Sequence, residues 1–202
     1  MTLLVWNILF LLDQFGEEYV NHFLSTFSTK MEKDNQIIDL NPDIEEFLKC
    51  NAVQFAKERK SITYLVGDAD SGTLLGYFTL THKVIEINAA GLSNTSVRRI
   101  ERHSRINPET NSYLVSAFLI AQFGKNYNVD ERIRLSGDDL MSFCKRELNE
   151  IRYRIGGSVI YLDCEADARL IRFYQDQQKF TLFGERISDN DGKRYLQYMK
   201  FL

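Results

Sequence analysis

Residues 112–123 read Ser-Tyr-Leu-Val-Ser-Ala-Phe-Leu-Ile-Ala-Gln-Phe, too continuously apolar for a strand with one face in water. Such a run predicts a central strand buried on both faces. A polar loop, 124–137, follows it. A helix from Asp138 to about Arg154 comes next, with Leu140, Met141, Phe143, Cys144, Leu148 and Ile151 along one stripe. Gly156-Gly157 ends that helix as glycines commonly do, and Ser158–Cys164 is a second buried-type strand. A strand–helix–strand passage within one sheet makes a right-handed crossover and a parallel pair. The chain is therefore a mixed α/β protein organised around that pair.

The remaining segments attach to this centre. Residues 1 to about 28 read as a helix, because apolar side chains continue at Phe15, Tyr19, Phe23 and Phe27 with polar residues between them. The polar stretch Ser28–Asn35 breaks the pattern and reads as a linker. Asn41-Pro42-Asp43 starts a helix that runs to about Lys60, with Asp43, Glu45 and Glu46 complementing the positive end of its dipole. Ser61–Val66 and Thr73–Ile87 are β-rich runs joined by Asp68-Ala69-Asp70-Ser71-Gly72, which is a hairpin. Residues 88–110 read as a polar loop. Ala166 to about Gln178 is a helix, and two final strands, 180–185 and 194–202, are joined by Ser188-Asp189-Asn190-Asp191-Gly192.

Composition narrows the function classes. The 202 residues are 44% hydrophobic and 26% charged, enough to bury a core and inconsistent with wholesale disorder. Twenty-five basic against 28 acidic residues leave a net charge of -3, which argues against a generic electrostatic nucleic-acid binder. Cys50, Cys144 and Cys164 are an odd set without CxxC spacing, and only His22, His82 and His103 accompany them. That pattern predicts neither a disulfide framework nor a metal site, and it suits a cytoplasmic protein. Leu3–Leu12 is very apolar, too short to span a bilayer and without the charged leader of a signal peptide. It reads as a docking helix for a protein partner or a second copy of the chain.

Three features carry chemistry. The loop after Gln122-Phe123-Gly124-Lys125-Asn126 leads through Arg132-Ile133-Arg134-Leu135-Ser136-Gly137 into a helix, whose unpaired N–H groups and nearby arginines suit an anion. Most such loops are structural turns. Phe173-Tyr174 lies within the last helix, where aromatics usually pack in a core, although a tyrosine hydroxyl facing a cleft can donate a proton. Ser96–Arg105 holds four arginines and one acid, which suits a polyanion or a solvated loop.

Taken together, the order of elements from about Asp43 to Leu202 resembles the GNAT superfamily of N-acetyltransferases, in its toxin-like branch. Four matches carry the likeness. Pro42–Leu48 followed by Ala56 resembles the branch's first helix, and Tyr64-Leu65-Val66 with Gly76-Tyr77-Phe78-Thr79-Leu80 resembles its hairpin. Leu119–Asn126 is similar to the family's L-L-G-R-L-A-V-D strand, and Leu170-Ile171-Arg172-Phe173-Tyr174 to the helix bearing its F-Y pair. The resemblance implies a mostly antiparallel mixed sheet with a central splayed parallel pair flanked by helices. It divides the chain into an apolar N-terminal helical extension, 1–34, and an acetyltransferase-like domain, 35–202.

The resemblance also assigns roles. Acetyl-CoA would be the cosubstrate, with no metal. Phe123, Gly124 and Lys125 would receive its pantetheine arm on the strand backbone, and Arg132, Arg134, Ser136 and Gly137 would hold its pyrophosphate. Tyr174 would protonate the departing thiolate while a primary amine attacks the thioester directly in a ternary complex. Glu86, Asp163 and Glu165 are candidates for the base. The family's loop is [RQ]-x-x-G-x-[GA]; here Leu135 replaces the first glycine, the loop is about two residues longer, and Gln178-Lys179-Phe180 replaces a helix-end G-F.

Two alternatives stand beside this reading. One is a non-catalytic binding or assembly module with a degenerate CoA loop. The other is a toxin-like aminoacyl-tRNA acetyltransferase, favoured by the hairpin resemblance and Arg98–Arg105 and disfavoured by the acidic net charge. An unrelated α/β protein with a purely structural loop is the remaining reading.

Overall fold

The two strands predicted to pair in parallel do so. The computed structural model describes residues 2–34, 36–88, 90, 92–188 and 192–202. In chain order the first elements are β1 (Leu3–Asn7), α1 (Ile8–Ser25), β2 (Lys30–Lys33), β3 (Gln36–Asp39), α2 (Pro42–Glu46) and α3 (Ala52–Lys57). Then come β4 (Ile62–Asp68), β5 (Thr73–Asn88), α4 (Asn94–Ile100), β6 (Ile106–Asn107) and β7 (Ser112–Lys125). The last are α5 (Gly137–Ile155), β8 (Val159–Glu165), α6 (Ala168–Ile171), β9 (Thr181–Ile187) and β10 (Arg194–Phe201). Wide π-helical turns continue two of the helices, Phe47–Asn51 between α2 and α3 and Arg172–Gln177 after α6.

Two compact units form, Met1–Thr81 with Ile120–Leu148 and His82–Leu119 with Asn149–Leu202. The first has strand order β1-β4-β5-β7, with β1 antiparallel to β4 and β4 antiparallel to β5. Its core gathers Ile8, Val20, Leu24 and Phe27 from α1 and the following turn, Leu48 and Ala56 from the second helix, and Leu65 and Tyr77 from the hairpin. Each fully buried large apolar side chain contributes about 1.5–3 kcal/mol.

The second unit has order β5-β7-β8-β10-β9, with β6 beside β7 and β10 antiparallel to both β8 and β9. Its parallel ladder is two rungs long, Phe118↔Ile160 and Leu119↔Tyr161. Among the described ladders this is the parallel one in a mostly antiparallel mixed sheet, so the fold class inferred from the sequence holds. The unit packs Ile85, Ile87, Tyr113, Val115, Val159 and Met199 together.

Four local expectations are corrected. Leu3–Asn7 is a strand paired to β4, not the start of a helix; Asn7 then caps α1 by accepting the Leu9 N–H at 2.9 Å. A continuous apolar run carries no periodicity to separate strand from helix, so a sheet edge decides. Within α1, Gly16 adopts φ 80° and ψ 168°, which breaks the helical phase. Consequently Phe15 and Tyr19 are more than half exposed, while Phe27 is buried. The supposed linker forms the antiparallel pair β2–β3, and the supposed loop 88–110 holds α4 and β6. Ser93 caps α4 by accepting the Ser96 N–H, and Val97 and Ile100 anchor it to the core. Finally, β7 is central but not covered on both faces throughout: Leu114 is 60% exposed and Ser116 is also open, while Tyr113, Val115 and Ala117 point inward. Asp189, Asn190 and Asp191 of the last turn lie outside the described residues.

Glu45 ties the beginning of β2 to the second helix. Its carboxylate accepts the Thr29 N–H at 2.8 Å, the Ser28 hydroxyl at 3.0 Å and the Lys49 ammonium at 2.6 Å. Partial burial pushes the carboxyl up, but the bonds from Lys49, Thr29 and Ser28 outweigh it and hold the pKa at about 2 against an ordinary 4.5. A depressed carboxyl stabilises the fold fully above its ordinary pKa and progressively less as pH falls through its folded value. Denaturant midpoints should therefore drop between pH 4.5 and about 2 in the wild type. Glu45→Gln should start less stable at neutral pH and show a shallower decline over that window.

Candidate functional site

The predicted site residues fall in both units, and the larger group lies in the first. Gly124 near the end of β7 has no room for a side chain: a β-carbon there would stand 2.5 Å from Ile44 Cγ2, 3.3 Å from Phe27 Cζ and 3.4 Å from Tyr77 Cε1. Tyr77 is itself fixed by donating its hydroxyl to the Ile44 carbonyl at 2.6 Å. Phe123 and Lys125, on either side, are half-buried.

Asn126 comes next and is fully buried. Its N–H donates to the Leu75 carbonyl at 2.8 Å, and its side-chain amide donates to the Leu74 carbonyl at 2.7 Å. The amide oxygen accepts the Ser28 N–H at 2.9 Å and the Asn128 N–H at 3.0 Å. Tyr127 then donates its N–H to the Ser28 carbonyl at 2.8 Å. Two cations lie over its ring, Lys125 Nζ at 5.4 Å and the Arg134 guanidinium at 5.2 Å from its centroid. Sequence reasoning passed over Asn126 and Tyr127. The available signals were a polar residue closing an apolar strand and an aromatic set among basic side chains.

The loop's arginines differ. Arg132 is 87% exposed and forms a bidentate pair with Asp130, whose carboxyl the guanidinium holds far below its usual range. Arg134 is only 19% exposed, meets Glu131 at 3.3 Å and donates to the Tyr127 carbonyl at 3.4 Å. Its Nε is buried with no hydrogen-bond partner, which is costly to leave unsatisfied. Leu135, which stands where the family has glycine, is buried, so its side chain serves the core of the unit.

Ser136 and Gly137 begin α5. Ser136 accepts the Asp139 N–H at 3.0 Å and donates its hydroxyl back to the Asp139 carboxylate at 2.5 Å, a reciprocal cap. Ser136 is thus engaged in capping. Asp138 and Asp139 occupy the first turn, where they offset part of the helix's attraction for an anion.

In the second unit, Tyr174 sits in the π-helical turn Arg172–Gln177 and is 7% exposed. Phe173, Phe180 and Tyr198 rings lie 5.0, 6.0 and 6.3 Å from its own. A π-type turn re-aims side chains within a helix and is frequent at functional sites. The three candidate bases are already engaged. Glu86 accepts the Ser112 hydroxyl at 2.5 Å, Asp163 pairs with Arg186 at 2.7 Å, and Glu165 pairs with Lys193 at 2.6 Å. Asp163 also accepts the hydroxyl of Tyr161, a phenol that burial and that carboxylate push up to about 12.

The two buried cysteines are not activated thiols. Cys144 is pushed well up by burial, and Cys164 is pushed up to about 12 by burial and neighbouring carboxylates. Among the described residues no cluster of His, Cys, Asp and Glu could hold a metal, and no helix is long and apolar enough to cross a membrane.

Neither a protein-family model nor a curated protein sequence matches the chain. Solved structures do. A mutant of KacT superposes with a TM-score of 0.62 at 14% identity, over 98% of this chain and 95% of that one. AtaT complexed with acetyl-methionyl-tRNAfMet gives 0.61 at 12% identity, over 96% and 94%. AtaTR bound with acetyl-CoA gives 0.55 at 11% identity, over 96% and 92%. At these identities the likeness establishes the fold, and it is the GNAT-like fold that the sequence motifs implied.

Gly124→Ala should lower unfolding stability by about 1–3 kcal/mol, because Ile44 must move to admit the methyl group. Asn126→Ala should cost about 1–3 kcal/mol through the main-chain groups it strands. Urea denaturation of both variants measures the effects. Wild-type stability in either would remove the end of β7 as the anchor of this loop.

Proposed function

We propose that the chain is an acetyl-CoA-dependent N-acetyltransferase. The observation that carries this reading is the loop between β7 and α5, where Lys125, Tyr127 and the orphaned Arg134 Nε form a half-buried cationic cluster next to a side-chain-free strand end. The fold around it is similar to that of AtaT, seen with acetyl-CoA.

In this reading the main chain of Phe123, Gly124 and Lys125 receives the pantetheine arm. Lys125, Arg134 and the N-terminal turn of α5 at Gly137 hold the pyrophosphate, with Ser136 keeping that turn capped. Arg132 joins by exchanging Asp130 for phosphate. The pair is exposed, so the exchange costs little. The buried position of Leu135 favours a working loop over a degenerate one.

The acceptor's primary amine attacks the thioester carbonyl carbon. A C–N bond forms, the C–S bond breaks, and the Tyr174 hydroxyl gives its proton to the departing thiolate. The amine's own proton leaves through water, since Glu86, Asp163 and Glu165 are held by other partners.

A second reading places the acceptor amine on an aminoacyl-tRNA. The similarity to AtaT complexed with acetyl-methionyl-tRNAfMet favours it. A protein partner or second copy would engage α1 through Phe10, Phe15 and Tyr19, all more than half exposed.

Acetyl-CoA should raise the melting temperature, because a ligand that binds only the folded state stabilises it by mass action. No shift at millimolar acetyl-CoA overturns the reading. Tyr174→Phe should keep that shift and lower thiol release about 100-fold, within the usual range for a general acid. Unchanged turnover would remove the tyrosine from the mechanism. Thiol release with amines, peptides and charged tRNAs separates the two acceptor readings.

A further inference from the structure

We infer that the unit of His82–Leu119 and Asn149–Leu202 carries a phosphate-binding cleft of its own, formed by Arg99, Arg102, His103 and Arg152. These four side chains line an open cleft of about 170 Å³ together with Ser158, Phe201 and Leu202. Arg99 and Arg102 come from α4 and the turn after it, and Arg152 from the last turn of α5, so two separate elements bring their cations to one place.

The four side chains of the cluster enter no ion pair among the described residues. No Asp, Glu or terminal carboxylate among the described residues lies within ion-pair distance of any of the four. Glu101, the one acid in the arginine-rich segment, accepts the Tyr113 hydroxyl at 3.1 Å instead. Arg99 is held in place by the Phe201 ring, 4.4 Å from its guanidinium carbon, which reduces the freedom lost on binding.

The charge of the surrounding unit points the same way. His82–Leu119 with Asn149–Leu202 holds 14 basic and 11 acidic residues, whereas Met1–Thr81 with Ile120–Leu148 holds 11 and 17. Three guanidinium forks facing one open cleft match the several oxygens and multiple charge of a phosphate better than a single carboxylate. The ligand chemistry is therefore a phosphate group, free or carried on a nucleic-acid chain. The cleft does not depend on acetyl transfer, and it is distinct from the Arg132–Gly137 loop.

The test uses the full chain, titrated separately with inorganic pyrophosphate and with a short single-stranded RNA. At least one probe should bind the wild type. R99Q/R152Q should weaken that probe about tenfold or more, while R59Q, an exposed arginine in the turn after α3, should leave its affinity unchanged. Pyrophosphate binding that R99Q/R152Q weakens identifies a free anion, and RNA binding alone that the same variant weakens identifies a chain-borne phosphate; either supports the cleft.

Failure of both probes overturns it, as does wild-type affinity in R99Q/R152Q. Where that variant does not fold, R102Q is read in the same way. The acetyl-CoA melting shift, measured on the same variants, reports on the acetyltransferase reading separately. Loss of one response leaves the other standing.

Discussion

The absence of a side chain at Gly124 governs the unit of Met1–Thr81 and Ile120–Leu148, since it lets Ile44, Phe27 and Tyr77 close directly on the main chain of β7. Asn126 then converts that contact into a fixed point. One buried amide satisfies main-chain groups of Leu74, Ser28 and Asn128, and its own N–H pairs with Leu75. In a buried setting each such bond is costly to leave unmade, so the segment after α1, the hairpin and the end of β7 are set in one arrangement. The loop that follows starts from a rigid base. A ligand recruiting Lys125, Tyr127 and Arg134 therefore spends little of its binding energy ordering them.

The same loop balances its charges internally, and the balance is uneven in a useful way. Arg132 has its carboxylate at hand in Asp130, two residues away and exposed, where an ion pair is worth at most about 1 kcal/mol. Arg134 is largely covered, has a weaker contact with Glu131 and retains an unsatisfied Nε. In the proposed reading, a multiply charged anion would displace the first pair and complete the second arginine's bonding. Asp138 and Asp139 oppose this at the start of α5. In that reading they would set a penalty that a pyrophosphate, with two charged groups, would meet better than a single carboxylate.

How much of this was legible in sequence depended on whether a segment carried its own period. The amphipathic stripe of α5, the hairpin of β4 and β5 and the parallel pair were readable because burial imposes a pattern on them. Leu3–Asn7 has no such pattern, and only its pairing with β4 makes it a strand. In α4 the apolar signal is reduced to Val97 and Ile100, too little to register against polar neighbours. Gly16 shifts the helical phase of α1, so Phe15 and Tyr19 read as core yet face outward. At the site, Gly124 and the two arginines were visible as residue types. Their partners were not, because Asp130, Glu131 and Tyr127 gain meaning only from side-chain directions.

The net charge of -3 illustrates a difference of scale. Averaged over the chain, it argues against any polyanionic ligand. Screening in physiological salt limits exposed charges to a range of about 8 Å, so a bound phosphate responds to its immediate neighbours and hardly to the whole chain. The 17 acidic residues of the first unit are counted in the total but are not lining the cleft of the second. What matters there is that Glu101 is occupied by Tyr113 while Arg99, Arg102 and Arg152 have no acid within ion-pair distance among the described residues. An acidic total and a cationic cleft are compatible. The total bears on solubility and long-range encounter, and the cleft on what stays bound.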